Sequence, residues 1–239
     1  MVATDISTLA VPAGLSLPDR EADVVEQRVY VSDSWWQAHL DSRGLPGGPL
    51  QTQRDANGSF LTRSAVWAHA ADVQHDDAGA LRLLWHVLAW GAGLRSVRNE
   101  SRRLDAVAAD PARAAALLQQ AAALALTQPE QAYAVLYPRG QGVITRLGPA
   151  FGTKYLYFAG GGAPGHRSLI LDARVATSLH EAGWTSLPRA GWLASAYLRY
   201  IDLMARWSAE VSTAEKQVTG DMLEFALFRH SSSGRRGLA

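Results

Sequence analysis

Apolar side chains recur at helical spacing through much of the chain, which limits it to folds built from packed helices. Leu81, Leu84, Trp85, Leu88 and Ala89 fall three or four residues apart and form one apolar stripe. The alternating patterns typical of β-strands are scarce. Hydrophobic residues make up 48% of the 239 residues and charged residues 19%, a balance that supports a buried core and argues against long disorder. We therefore predict a mostly α protein.

Start signals place several further helices. Asp110 before Pro111 combines an N-cap side chain with a ring already fixed for a first helical turn. Asp221 with Glu224 three residues later resembles a capping box. These signals predict helices over residues 111–125 and 223–228, and aromatic and apolar residues predict two more over residues 34–40 and 188–210.

The chain divides into three regions by composition. Pro12, Gly14 and Pro18 interrupt an opening stretch without periodicity, and a Gly/Pro-rich loop follows at residues 44–49. We predict an N-terminal arm and loop-rich region over residues 1–60, a helical domain over residues 61–230, and a flexible tail over residues 231–239.

Cysteine is absent, which excludes disulfides, thiolate zinc sites and cysteine-ligated iron–sulfur clusters. We predict no metal and no cofactor. No stretch approaches the 18 or more apolar residues of a membrane span, and the first 30 residues contain acids where a signal peptide needs a basic start. We expect a cytoplasmic monomer without a membrane partner.

Positive charge is concentrated in the middle of the chain. The net charge is +1, yet residues 81–175 hold 11 basic and 5 acidic side chains. Such a basic segment is typical of a face that binds a polyanion, although basic surfaces also occur without a partner. Arg supplies 21 of the 23 positive charges, so Lys154 and Lys216 are exceptional. A desolvated lysine can act as an amine nucleophile, whereas arginine stays protonated.

Lys154 follows a turn rich in glycine and proline, over residues 146–152. Backbone N–H groups of such a turn, at the N-terminus of the next helix, can hold a phosphate. We predict a short aromatic helix over residues 155–158, with Lys154 at its start. Asp172 follows 18 residues after Lys154, at the N-cap position of a helix predicted over residues 173–179. The lysine and the aspartate are expected to face each other across one cleft.

The pattern Gly152-Thr153-Lys154, followed by Leu171-Asp172, resembles the helix-hairpin-helix DNA glycosylases, and most of all their 8-oxoguanine glycosylase branch. The resemblance covers about residues 80–230 and extends to a bacterial group, some of whose members act in defence against phages with modified bases. The hairpin of this chain, residues 147–152, departs from the family pattern because its Gly and Pro are exchanged and it is one residue longer. The family's β-rich N-terminal domain is not visible in residues 1–80.

The resemblance implies a helix-hairpin-helix glycosylase fold and a role for each residue of the motif. Lys154 and Asp172 would be catalytic: the carboxylate would stabilise positive charge on the sugar, and the lysine would form a Schiff base, or water would attack instead. The residues expected to contact DNA are Arg146, Gly148, Ala150, Gly152, Thr153, Arg167 and Arg174, with further phosphate contacts from Arg95, Arg98, Arg102 and Arg103. A flipped base would stack on aromatic rings, for which the candidates are Trp85, Trp90 and Tyr157.

We therefore predict a glycosylase that removes a modified base from double-stranded DNA. A glucosylated hydroxymethylcytosine of phage DNA is our preferred substrate, and 8-oxoguanine, with strand nicking, is the alternative. Two other classes remain open: a DNA-binding module that uses the hairpin only to grip the backbone, and a helical interaction protein. The glycines of residues 160–165 have P-loop spacing but lack its Gly-Lys-Ser/Thr ending, so a nucleotide site is not predicted.

Overall fold

The computed structural model describes residues 6–94 and 97–233. Helices make up 57% of the structure, which confirms the mostly α prediction. The α-helices of the described residues are α1 (Asp33–Asp41), α2 (Arg63–Trp67), α3 (Asp77–Ala92), α4 (Val97–Ala108), α5 (Pro111–Ala125), α6 (Pro129–Leu136), α7 (Pro149–Phe158), α8 (Ala173–Glu181), α9 (Ala194–Val211) and α10 (Gly220–Ser233).

Aspartate side chains cap the N-termini of α3 and α5. The Asp76 carboxylate accepts a hydrogen bond from the Gly79 N–H at 2.6 Å, and the Asp110 carboxylate accepts one from the Arg113 N–H at 3.1 Å. Each cap satisfies a backbone donor that has no partner within its helix. The helix predicted after Asp110 is confirmed with the same bounds, Pro111–Ala125.

The two C-terminal helices begin at positions other than those predicted. Helix α9 begins at Ala194 rather than residue 188, because residues 188–193 are non-helical and Gly191 among them has a φ of 73°. Asp221 lies inside α10 rather than at its N-cap, and its carboxylate pairs with Arg20 at 3.1 Å. The capping box predicted at Asp221 is therefore wrong. Helix α10 also continues three residues past residue 230, and residues 234–239 lie outside the described residues.

A small sheet occupies the region predicted to be a loosely structured arm with loops. Strands β1 (Val29–Tyr30), β2 (Gln53–Asp55) and β3 (Gly58–Leu61) form an antiparallel sheet in the order β1-β3-β2, preceded by a π-helical turn over Arg20–Val25. The prediction of a loose arm is wrong for these residues, since Val24, Val31 and Trp36 are buried in the main core. The strands are only two to four residues long, too short to show an alternating pattern.

Helix α3 forms the centre of the core. Its apolar stripe is buried as predicted, but Leu83 and Val87 on its other faces are buried as well. It packs against α5 on one side and α7 on another, while α8 packs against α10. The fold thus fixes α7 and α8 against the body of the protein. These two helices hold Lys154 and Asp172.

Candidate active site

Lys154 lies in the middle of α7 and not at the start of a short helix. Gly148 is the N-cap and Pro149 the first helical residue, so the helix begins six residues earlier than predicted. The Lys154 Nζ donates to the Asp172 Oδ2 at 3.1 Å and reaches the Ala150 carbonyl oxygen at 3.5 Å. The side chain of Lys154 is 10% exposed and that of Asp172 14%. The predicted pair is therefore in contact and largely shielded from water.

Asp172 is the N-cap of α8, as the sequence predicts. Its Oδ1 accepts from the backbone N–H groups of Arg174 at 3.0 Å and Val175 at 3.2 Å, while its Oδ2 faces Lys154. Burial alone would raise the pKa of Asp172, but the lysine charge and the two N–H groups outweigh it and hold the pKa below its usual value. The carboxylate is thus kept ionised and fixed in direction.

Thr153 joins the two catalytic candidates through the backbone. Its Oγ1 accepts from the Leu171 N–H at 3.1 Å and donates to the Leu171 carbonyl oxygen at 3.0 Å. Leu171 directly precedes Asp172, and Thr153 directly precedes Lys154. One hydroxyl therefore sets how the Lys154 helix lies against the Asp172 segment.

Gly152 is needed for close packing inside the hairpin. A Cβ at this position would lie 2.1 Å from the Tyr137 Oη. That hydroxyl lies within donor range of the Leu147 and Gly148 carbonyl oxygens, at 3.1 and 3.0 Å, and so ties the hairpin to α6. Gly152 lets Tyr137 reach these carbonyls.

A pocket of about 180 Å³ opens beside the Lys154–Asp172 pair. Both residues belong to its wall, together with Gln27, Val29, Arg63, Trp90, Gly91, Ala92, Gly93, Ile170, Glu224 and Phe228. The wall therefore combines the β1 region, the C-terminal end of α3, α7 and α10. Elements from both ends of the sequence meet at this pocket.

Arg63 is the buried centre of one side of the pocket. Its Nη1 donates to the Glu224 Oε2 and to the Tyr157 Oη, both at 2.9 Å, and its Nε donates to the Gln27 Oε1 at 2.9 Å. The Arg63 and Glu224 side chains are 1% and 2% exposed. Burial raises the pKa of Glu224, and the Arg63 charge opposes that rise. Arg63 therefore fixes several pocket residues at once.

The comparison with protein families matches residues 22–228 to the family described as "Putative 8-oxoguanine DNA glycosylase OGG-like protein". The match spans far more than half of the chain, and the lysine and aspartate of the motif lie together in its structure. The chain belongs to this OGG-like family. The searches of curated proteins and of solved structures found no match.

Residues predicted to contact DNA in this OGG-like protein lie at different depths of the structure. Arg146, Gly148 and Ala150 lie at or near the surface of the hairpin, as a DNA-binding role requires. Gly152 and Thr153 are buried: Gly152 packs on Tyr137, and the Thr153 hydroxyl accepts from the Leu171 N–H. Their contact with DNA stays a prediction.

The predicted arginines divide between the hairpin, the pocket side and other surfaces of the OGG-like domain. Arg103 donates to the Arg146 carbonyl oxygen at 3.2 Å and lies 4.2 Å from the centre of the Phe151 ring, so it supports the hairpin. Arg174 lies 4.7 Å from the ring of Phe228, a pocket residue, whereas Arg167 pairs with Asp202 at 2.7 Å. Arg102 is exposed on α4; Arg95 and the side chain of Arg98 lie outside the described residues.

Only one of the three base-stacking candidates lines the pocket of this OGG-like protein. Trp90 does so, and its buried Nε1 has no hydrogen-bond partner among the described residues. Trp85 is fully buried in the core and donates to the Pro46 carbonyl oxygen at 2.8 Å, so its assignment to the base pocket is wrong. Tyr157 lies behind the pocket, where its hydroxyl contacts Arg63 and Asp221.

Sequence reasoning missed Gln27, Arg63, Glu224 and Phe228. No local motif marks them, because only the fold brings residues 27, 63 and 224 to one place. Among the described residues, no group of three or more His, Cys, Asp or Glu side chains is placed to hold a metal ion. No helix of the described chain has the length and apolar character needed to cross a membrane.

Proposed function

We propose that the protein excises a modified base from double-stranded DNA, with Lys154 as nucleophile and Asp172 as the group that stabilises charge on the sugar. The observation that carries this proposal is the contact of Lys154 and Asp172, at 3.1 Å, in the wall of the pocket. Membership of the OGG-like family supports a DNA glycosylase. A base within a duplex cannot reach such a pocket, so the nucleotide must leave the stack.

Cleavage of the glycosidic bond moves electrons from the sugar to the departing base. Positive charge then develops at the anomeric carbon, and an ionised carboxylate beside it lowers the barrier. Asp172 suits this role because its lowered pKa keeps it ionised at neutral pH. The departing base takes up a proton as it leaves.

Lys154 forms the new bond to the anomeric carbon once its ammonium group has lost a proton. The resulting amine adduct opens to a Schiff base, from which water releases the lysine or elimination nicks the strand. A water nucleophile would need Asp172 as its base, and the lowered pKa of Asp172 makes it a weak one. We therefore favour the lysine route and expect strand nicking to accompany excision.

The hairpin is the part that would grip the DNA backbone. In the first turn of α7, Pro149 has no N–H group and the Phe151 and Gly152 N–H groups donate to the Gly148 carbonyl oxygen, at 2.9 and 3.1 Å. Among the described residues this leaves the Ala150 N–H group for an anion, at the helix end that the dipole makes favourable for negative charge. Arg146 is exposed next to it, and Arg103 holds the Arg146 carbonyl group in place. These groups would bind phosphates on the strand that carries the flipped nucleotide.

We favour 8-oxoguanine over a glucosylated cytosine as the substrate. The family description points to 8-oxoguanine. In addition, a cavity of about 150 Å³ holds one benzene ring, so the 180 Å³ pocket suits a flipped base without a sugar attached. A glucosyl group would have to protrude from the mouth of the pocket. A role in phage defence is therefore the less favoured proposal.

The test is base excision from three matched duplexes, which contain guanine, 8-oxoguanine or glucosylated hydroxymethylcytosine at one position. Abasic sites are counted with an aldehyde-reactive probe for the wild type, Lys154→Gln, Asp172→Asn and the control Lys216→Gln. Lys216 is the other lysine of the chain and is exposed outside the pocket. We expect sites only on the 8-oxoguanine duplex, lost in the Lys154 and Asp172 variants and unchanged in the control.

Other outcomes separate the rival functions. Sites on the glucosylated duplex alone would favour phage defence. DNA binding without excision of any base would favour a module that only grips the backbone.

A further inference from the structure

The ring of Phe151, in the first turn of α7, lies close to two cations. The Arg103 guanidinium carbon is 4.2 Å from the ring centre and the Lys154 Nζ is 5.8 Å from it, both within the range of cation–π attraction. A Cβ added to Gly91 would lie 2.7 Å from the Phe151 Cε1 and 3.2 Å from the Lys154 Cδ. The ring and the lysine chain therefore both pack against the backbone of Gly91, a residue of the pocket wall.

Arg103 is itself held in place by two partners. Its Nη1 donates to the Glu100 Oε1, and its Nε donates to the Arg146 carbonyl oxygen at 3.2 Å. The Arg103 side chain is 18% exposed and that of Glu100 2%. Arg146 has a φ of 64°, a left-handed conformation that is unfavourable for a residue with a side chain. One guanidinium group therefore supports both the Phe151 ring and the strained residue that precedes the hairpin.

Glu100 is a costly partner for Arg103. Burial raises the pKa of Glu100 to about 7 despite the Arg103 charge, and its buried Oε2 has no hydrogen-bond partner among the described residues. Such a carboxylate lowers stability when it is ionised, and an apolar pair in place of a buried ion pair is often at least as stable. Proteins keep destabilising groups where activity needs them. The pair is therefore better explained by what Arg103 holds than by a gain in stability.

Lys154 needs support beyond its hydrogen bonds. Its Nζ donates to the Asp172 Oδ2 at 3.1 Å, and it reaches the Ala150 carbonyl oxygen only at 3.5 Å. A lysine side chain is flexible, and a displacement of about 1 Å in an active site can cost about 100-fold in rate. Packing of the lysine chain beside Phe151 and against Gly91 limits this freedom.

We infer that Phe151, held by Arg103 and Glu100, is a positioning residue that directs Lys154 toward the anomeric carbon. None of the three is among the described residues that line the pocket, so they act through the lysine and not on the base. The inference rests on the proposed function, in which Lys154 is the nucleophile.

The first test measures reductive trapping at Lys154 on a duplex with a preformed abasic site, where no base has to be removed. Phe151→Leu keeps apolar bulk but removes the ring, and it should slow single-turnover trapping at least about tenfold. Phe151→Tyr keeps the ring and should trap within about threefold of the wild type. Affinity for a tetrahydrofuran abasic duplex should stay within about twofold in both variants, which separates placement of the lysine from a DNA contact by the ring.

Phe60 offers a matched control outside the site. Its ring also lies near an arginine, with the Arg28 guanidinium carbon at 4.8 Å, but Phe60 is not among the described residues that line the pocket. Phe60→Leu should trap within about twofold of the wild type at a temperature where it is folded.

A double variant, Glu100→Leu with Arg103→Met, removes the ion pair without leaving a buried charge unpaired. Its Tm should stay within about 4 °C of the wild-type value. Trapping should nevertheless slow at least about fivefold, because Phe151 has lost its support. A merely structural pair would not lower the rate while stability is kept.

Lysine-selective ¹³C labelling follows Lys154 without any reaction. The chain has two lysines, so its spectrum holds two ε-methylene signals, and the exposed Lys216 serves as the reference. Relaxation of these signals should show a Lys154 more rigid than Lys216 in the wild type and in Phe151→Tyr. In Phe151→Leu, Lys154 should become about as mobile as Lys216.

Trapping by Phe151→Leu within about threefold of the wild type, an equal loss in Phe151→Tyr, or a matching loss of abasic-duplex affinity would overturn the inference. Unchanged trapping in the double variant would overturn the part given to Arg103 and Glu100. If Phe151→Leu does not fold, the double variant undergoes the same tests. A wild type that forms no adduct at Lys154 refutes the proposed function instead; relaxation then decides, and a Lys154 that stays rigid in Phe151→Leu would reject the positioning role.

Discussion

Replacing Thr153 with valine removes the hydroxyl that joins α7 to the segment before Asp172, while nearly preserving the shape of the side chain. The Leu171 N–H loses its acceptor at 3.1 Å, and the Leu171 carbonyl oxygen loses its donor at 3.0 Å. Both groups are buried in the interior. An unsatisfied buried polar group costs about 1–3 kcal/mol, so with two such groups the variant should lose about 2–6 kcal/mol of unfolding free energy.

The Thr153→Val substitution should lower both the stability of the protein and its rate of base excision. For a chain of this size, about 2–6 kcal/mol corresponds to a fall in Tm of roughly 4–24 °C. Because a small misplacement of catalytic groups is costly, single-turnover excision should fall by about 10- to 100-fold at a temperature where the variant is folded. Thr153→Ser keeps the hydroxyl and is the matched control, which should retain excision within about threefold.

The assays are thermal unfolding by circular dichroism and single-turnover excision on a duplex that the wild type cleaves. If Thr153→Val unfolded and excised like the wild type, the hydroxyl would not be the joint between the two catalytic segments. If Thr153→Ser were as impaired as valine, the methyl packing rather than the hydrogen bonds would explain the effect.

Three further predictions concern the hairpin and its support. Gly152→Ala should lower the free energy of unfolding by about 3 kcal/mol or more in chemical denaturation, because its Cβ would meet the buried Tyr137 ring. Gly148→Ala, with open space around the new Cβ, should lower it by under about 1 kcal/mol. Equal losses in the two variants would refute this packing. Burial raises the pKa of Glu100 to about 7, so ionisation of this side chain should lower the free energy of unfolding as pH rises from about 4.5 to 7. The unfolding free energy of Glu100→Gln should match that of the wild type near pH 4 and exceed it by at most about 3 kcal/mol at pH 8. A constant difference across that range would contradict the predicted direction of the pKa shift. Arg146→Ala should weaken DNA binding and lower the slope of log K against log salt by about 1, and an unchanged slope would exclude a phosphate contact.

Local signals in the sequence predicted the parts of the site that depend on neighbouring residues. Asp172 caps α8 because its carboxylate reaches N–H groups two and three residues ahead, which spacing alone can show. That Lys154 and Asp172 face each other is an expectation from their helix positions that the family resemblance supports, since nothing local fixes a distance across 18 residues. Thr153 looked like part of a DNA-facing turn, and only the packing of Leu171 against α7 shows that its hydroxyl points inward.

The residues of the pocket wall could not be predicted in the same way. Gln27, Arg63 and Glu224 meet only after the N-terminal region has folded against α10. The strands of that region are too short for a period-two pattern, so the sequence showed only loops there. Trp85 and Trp90 lie on one helix and look equivalent in sequence, yet α5 and α7 pack around α3 so that Trp85 is fully buried and Trp90 reaches the pocket.

Reductive trapping tests the central claim most directly, namely that Lys154 attacks the sugar beside Asp172. The protein is incubated with borohydride and a duplex containing 8-oxoguanine, and the cross-linked peptide is mapped by mass spectrometry. Lys154 and Lys216 are the chain's two lysines, so their peptides distinguish a specific adduct from a chance one. We expect a covalent complex at Lys154, retained in Lys216→Gln and lost in Lys154→Gln. Undiminished trapping in Lys154→Gln, or base excision by that variant at the wild-type rate, would contradict it.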